Sequence, residues 1–428
     1  MFSQNGLSLD QAPPISVVFR FFFSGALFGI LSGILILLFK TAIFNAHSLE
    51  AITLTHTLTL GVMLSFMFAA LFQMLPVIAG VTLQSPNQKA NFVQYPFILG
   101  VITLLFAFNL SIPLLFGLAS LLLGGSILYI AVVMLKNLMA LPNHSSSSKG
   151  ILLTLISLFL VIALALYLTG TLAGLFAGTY YTEVKEAHYS FGLFGWIALL
   201  IVSISFQVIE MFYVTPSYPK LVSKYLPLTL LTLLVITSII GLFSSYIWML
   251  SNILLAFMLS GYALLTLKKL TQRKRPLTDA TVWFWRMGLS SLILSMILMA
   301  VSQFKEIAVL QTLSYIFFAS FALSIVFAMF YKIVPFLTWF HLNSQGYFTA
   351  PMMHEVIHPK TAKKHLYIHL STIVAFIVSI FIPQMILLAG LLTMLSFGWM
   401  AYQIIHAHLL YKKTQETGEK FDMGMPKP

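Results

Sequence analysis

Residues 52–80 read ITLTHTLTLGVMLSFMFAALFQMLPVIAG. The run is apolar over more than the roughly 20 residues of helix that cross a bilayer. His56 stands near its start, Gly61 a little over a turn later, and Phe72, Gln73 and Pro76 close it as F-Q-x-x-P. An ionisable side chain inside a membrane helix costs enough that function is the first reading of it. The pattern returns at 187–213, AHYSFGLFGWIALLIVSISFQVIEMFY, with His188, Gly195 and F-Q-x-x-E at Phe206, Gln207 and Glu210. It returns again at 315–340, YIFFASFALSIVFAMFYKIVPFLTWF, with Tyr331, Lys332 and Pro335 but no histidine. Gln73, Gln207 and Lys332 lie 134 and 125 residues apart, a period that divides the chain into three units.

Composition agrees with the reading of these runs. The chain is 59% hydrophobic and only 8% charged, where a soluble domain carries about 25% charged residues. It therefore reads as an all-α polytopic membrane protein whose main partner is the lipid bilayer. With no cysteine it has no disulfide, thiolate metal ligand, iron–sulfur cluster or c-type haem attachment. A net charge of +12 would suggest nucleic acid in a soluble protein. Here the basic residues sit between apolar runs and set topology, so no nucleic-acid partner is expected. The opening MFSQNGLSLDQAPP has no basic stretch and no small-residue cleavage site, and no signal peptide is read from it.

Hydropathy and breaks at Pro, Gly and charge give about twelve spans, near 16–44, 52–83, 94–112, 115–140, 150–178, 187–213, 226–244, 247–268, 283–303, 308–340, 365–386 and 388–410. The chain forms one integral membrane domain over 1–428, with pseudo-repeats of four helices at 16–140, 150–268 and 283–410 and a cytoplasmic tail at 411–428. The marked helices are the second of each unit. Loops after even spans hold most of the lysine and arginine, including Lys149, Lys220, Lys224 and the block Lys268, Lys269, Arg273, Lys274, Arg275. Loops after odd spans hold only Lys40, Lys185 and Lys305. Positive residues stay inside, so both termini are cytoplasmic, and His56 and His188 lie near the outer ends of their helices.

Without cysteine, a haem iron is most simply held by imidazole, and a flat porphyrin needs small residues beside the ligand. His188 is followed by Gly192, Gly195 and Trp196, and His56 by Gly61 and the pair Ala69–Ala70. The alternative is a pair of interface histidines with glycines serving helix packing. Gln73, Gln207, Glu210 and Lys332 form a repeated polar set near the cytoplasmic side. It reads either as an ion or proton path or as an interhelical lock with a Lys332–Glu210 ion pair.

His354-Glu355-Val356-Ile357-His358 matches H-E-x-x-H, the pattern of a zinc metalloprotease, with two zinc-binding histidines one helical turn apart and a glutamate as general base. It lies in the loop 341–364, with Lys364 where an extended motif would place a third histidine. His365 or His369 has the spacing of a third ligand, and Met352 and Met353 keep copper open beside His354. His341, His406 and His408 read as interface anchors.

The outer-end histidine in H-x-x-x-x-G, from His56 to Gly61, with Pro76 downstream, resembles the second helix of the haem-copper oxidase catalytic subunit. The resemblance extends, as architecture, to twelve spans in three four-helix units with functional helices two, six and ten. The chain is also similar to NnrS-type haem-copper membrane proteins of bacteria, which are linked to nitric oxide stress. The resemblance implies a multi-pass protein of the bacterial cytoplasmic membrane. It implies His56 as an axial ligand to haem b and His188 as a haem or copper ligand. It also implies electron transport, binding of NO or O2, or respiratory metal handling, with an electron-donor protein as partner; a homo-oligomer is open. The departure is as informative: no histidine occurs between Tyr189 and Phe340. The span-seven pair and the two span-ten histidines of that family are absent, and span ten offers Tyr315, Ser320 and Met329 instead. An oxidase-type binuclear centre is not expected, and enzymatic activity is open.

Overall fold

In lipid every backbone N–H and C=O must be satisfied within the segment, so apolar runs of this length fold as helices. The computed structural model describes residues 13–420 except 82, 276, 277 and 306, and the side chains of 77–79 are also outside it. The opening twelve residues and the part of the tail beyond 420 lie outside the described residues. Twelve helical segments are long and apolar enough to cross a membrane. They are α1 (Ile15–Phe44), α2 (Leu49–Pro76), α3 (Pro86–Leu110), α4 (Pro113–Met139), α5 (Ser146–Leu172), α6 (Tyr181–Tyr213), α7 (Lys220–Gly241), α8 (Tyr246–Thr271), α9 (Ala280–Ser302), α10 (Ala308–Ser344), α11 (Pro359–Phe381) and α12 (Met385–Thr417). The chain is an all-helical, multi-pass membrane protein.

Local chemistry sets the starts. Ser48 accepts from the Ala51 N–H before α2, Ser145 from Ser148 before α5, and Asp279 from Val282 before α9. Each satisfies one of the donors a helix leaves free at its N-terminus. Pro86, Pro113 and Pro359 occupy the first turns of α3, α4 and α11, where no N–H is lost. The last helix continues to Thr417, so the expected tail at 411 begins as helix.

The core is aromatic and gathers on the marked helices. Phe21 of α1 stacks on Phe72 of α2 at 5.6 Å, and Phe68 of α2 meets Trp196 of α6 edge-on at 6.4 Å. Phe194 of α6 meets Phe318 of α10 at 5.6 Å, and Phe22 of α1 meets Phe330 of α10 at 6.0 Å. α2, α6 and α10, with Phe22 of α1 and Trp285 of α9, line a cavity of about 70 Å³ that is almost wholly apolar, with Met67, Ile204, Val326 and Met329 in its wall. One helix from each expected unit thus reaches the centre of the bundle.

Candidate functional site

The site starts with an irregularity in two helices. In α2 the segment Thr57–Leu64 is π-helical, directly after His56. In α6 the segment Phe191–Ala198 is π-helical, three residues after His188. Both segments end nine residues before the repeated glutamine, Leu64 before Gln73 and Ala198 before Gln207. A π-turn carries an extra residue, rotates the helix before it relative to the helix after it, and is found mostly at functional sites. α10 is regular α-helix through the corresponding region.

The N-terminal ends of the two helices, before the π-turns, bring the two histidines together. The His56 and His188 rings lie 12° from parallel with centres 6.4 Å apart. Phe108 of α3 packs at 5.0 Å from the His56 ring. His56 Nδ1 donates to the Ile52 carbonyl at 2.8 Å. With the proton on Nδ1, the lone pair stands on Nε2, the tautomer that metal-ligating histidines adopt. The Val161 carbonyl of α5 lies near His188, but not in hydrogen-bonding geometry with Nδ1, which is buried with no partner. A buried polar atom left unpaired costs about 1–3 kcal/mol, so it calls for an explanation in ligand binding or strain.

The separation of the ring centres is that of two imidazoles that share one metal. An imidazole nitrogen binds a metal at about 2.0–2.1 Å, with its ring centre about an ångström farther back, so two imidazoles sharing one metal from opposite sides sit roughly 6 Å apart. The residues around them sort differently from the sequence expectation. A methyl group on Gly61 would meet the Phe28 ring of α1 at 2.6 Å, and one on Gly195 would collide with Ser157 of α5. These two glycines serve close helix packing. A methyl group on Gly192 would meet nothing, so only Gly192 adjoins open space. Trp196 is buried against Phe68, and its Nε1 has no partner.

No hydrogen bond or ion pair joins Gln73, Gln207, Glu210 and Lys332 to one another among the described residues. Lys332 pairs with Asp279 at 2.7 Å, not with Glu210, and lies over the Tyr213 ring. Asp279 precedes α9 and was missed because it sits in the basic loop, outside the repeat. Glu210 accepts from the Tyr218 N–H at 2.7 Å, across the turn that begins with Val214 at φ 53°. A β-branched residue in the left-handed region is strained; the Lys274 N–H holds its carbonyl at 3.0 Å. Gln73 is buried with Oε1 unpartnered. Lys332 and Glu210 are each held by a partner, and neither lines the central cavity.

His354 and His358 do not share a helical face. The one-turn helix Met353–Val356 ends at Ile357, which is extended, and His358 caps α11 by accepting from the Lys360 N–H. Glu355 is turned back to the Met352 N–H, as a capping residue rather than a base. Among the described residues no three His, Cys, Asp or Glu side chains are grouped as metal ligands. His365 and His369, with the spacing of a third ligand, point instead into the bundle. His365 is wholly buried, with Nδ1 bonded to Tyr331 Oη at 2.9 Å and Nε2 to Ser396 Oγ at 2.7 Å. His369 Nε2 meets Ser324 Oγ at 3.0 Å. Of the groups noted on span ten, Ser320 bonds Ser291 on α9 at 2.8 Å, Tyr315 accepts from Gln311, and Met329 lines the cavity.

Fold and geometry together define a twelve-helix membrane protein with a half-buried imidazole pair. No protein-family model matches the chain, and no curated protein matches it.

Proposed function

We propose that this is a haem-binding protein of the bacterial cytoplasmic membrane that holds b-type haem between His56 and His188. Its role is electron transfer, binding of a diatomic gas, or respiratory metal handling, without an oxidase-type binuclear centre. The observation that carries the reading is the near-parallel imidazole pair at 6.4 Å. Three others support it: the Nδ1–H bond of His56 to Ile52, the open space at Gly192, and the π-turn beside each histidine. When bound, haem supplies a one-electron couple or, with one ligand position open, a site for NO or O2. The protein's part is to fix the His56 tautomer through the Ile52 carbonyl and to pack Phe108 against that ring. Copper is the competing occupant, since two imidazoles suit it as well.

The test is the visible absorption spectrum of the purified protein, oxidised and then reduced by dithionite. A Soret band with sharp α and β bands on reduction, lost in His56→Ala and His188→Ala, is the expected result. A colourless protein from haem-replete cells overturns the haem reading. Copper that co-purifies with such a protein and is lost in the same variants assigns the pair to copper.

A further inference from the structure

A second cavity lies at the cytoplasmic end of the bundle, between the first turns of α5 and α7. Its volume is about 300 Å³, and it is lined by His144, Ser146, Lys149, Lys220, Ser223 and Lys224, with Gly150, Leu153 and Pro227 at its apolar end. Three lysines line one small space, yet none has a carboxylate partner within salt-bridge distance among the described residues. The nearest carboxylate by connection, Glu210, is held by the Tyr218 N–H and does not line the cavity. His144 Nδ1 is buried without a hydrogen-bond partner.

The two helix starts add to the positive field. α7 begins at Pro219 with no side-chain cap, so its first N–H groups stay free for an anion. Neither α5 nor α7 has an acidic residue in its first turn. Below the lysines the surface becomes apolar and open to lipid: Ile156, Leu221 and Leu228 are exposed, and Tyr225 carries Lys224 over its ring at 4.8 Å.

From the cavity, its unpaired lysines and the apolar strip beneath, we infer that this is a binding site for the phosphate headgroup of an anionic phospholipid. Lys149, Lys220 and Lys224 neutralise the phosphodiester, Ser146 and Ser223 donate to its oxygens, and the acyl chains follow the groove between α5 and α7. A free phosphate would use the same cationic groups but not the apolar strip. Basic pockets between membrane helices on the cytoplasmic side are established as headgroup sites.

The experiment is native mass spectrometry of the full, delipidated chain titrated with phosphatidylglycerol, with phosphatidylcholine as the zwitterionic comparison. The expected result is a discrete bound phosphatidylglycerol that K149Q/K220Q/K224Q weakens about 100-fold, from the contribution of each lysine near a surface. K268Q/K412Q/K413Q removes the same charge elsewhere on that face and is expected to leave binding intact; circular dichroism checks that both triple variants fold. Equal loss in the two triple variants overturns the site in favour of diffuse surface charge. Equal binding of phosphatidylcholine overturns the charge-specific reading. Displacement of the lipid by millimolar inorganic phosphate assigns the pocket to free phosphate and overturns the lipid.

Discussion

The imidazoles of His56 on α2 and His188 on α6 lie 12° from parallel, 6.4 Å apart, although the two are not equivalent within their helices. His56 directly precedes its π-turn, while His188 stands two residues further from its own. The pair is produced by where each histidine sits relative to the turn.

That placement is testable without any cofactor. The chain has no cysteine, so His56→Cys with His188→Cys gives a background-free pair. A short flexible bis-thiol reagent is expected to link the two. Deleting Thr59 removes one residue from the π-turn and rotates the outer end of α2 by about 100°. In that background the link should disappear, read as loss of cross-linked product after proteolysis between the helices. A link that survives the deletion shows that the π-turn does not set the pair.

The three glycines near the site should behave differently. Gly61→Ala drives a methyl group into Phe28, and Gly195→Ala into Ser157. Overpacking of this kind costs about 1–3 kcal/mol, visible as a lower unfolding midpoint in detergent. Gly192→Ala meets nothing and replaces a poor helix former with the best, so its midpoint should hold or rise. A fall in Gly192→Ala as large as in the other two contradicts this division.

The twelve helices were legible because lipid leaves a long apolar run one choice of backbone structure. The expected repeat rests on the spacing of Gln73, Gln207 and Lys332. The two π-turns were not legible, since TLTLGVML and FGLFGWIA carry no residue pattern that separates an i→i+5 turn from an α-helix. The apposition of His56 and His188 depends on those turns, so spacing alone did not bring them together. A Lys332–Glu210 pair was one of the two readings of the repeated signature, but Lys332 pairs instead with Asp279, the residue that caps the neighbouring α9. H-E-x-x-H was visible as five letters, and the extended backbone at Ile357 removes its helical register.

His365 is the histidine whose loss should matter most to stability. Replacing it by alanine leaves Tyr331 and Ser396 without partners and opens a void among Phe284, Phe327 and Tyr331. A loss of roughly 2–4 kcal/mol follows from the cavity and the stranded hydroxyls. His354→Ala, at an exposed position, should leave the midpoint and the metal content unchanged. Zinc bound one to one and lost in His354→Ala would reverse the assignment of that loop.

The Asp279–Lys332 pair gives a pH signature. Burial alone would raise the Asp279 carboxyl, but the Lys332 ammonium and bonds from Lys332, Thr281 and Val282 together hold it below its usual range. Its contribution is therefore complete above the unfolded value of about 3.9 and is lost as pH falls through the lower folded value. Asp279→Asn keeps the side-chain acceptor for the cap and removes the charge. It should flatten the acid limb of stability below about pH 4, with less than about 1 kcal/mol lost at neutral pH because the pair is partly exposed. An unchanged acid limb in Asp279→Asn places the titration elsewhere.

α10 spans 37 residues and α12 spans 33, or about 55 and 50 Å of helix against a hydrocarbon core of roughly 30 Å. Their C-terminal ends are tied to each other by Gln345 to Tyr411 and by Tyr347 to the Gln415 carbonyl. For electron imaging this is an asymmetric marker on a particle otherwise sheathed in detergent. A rigid helical fusion continued from Thr417 would inherit the orientation of the bundle and give image alignment a lever outside the micelle.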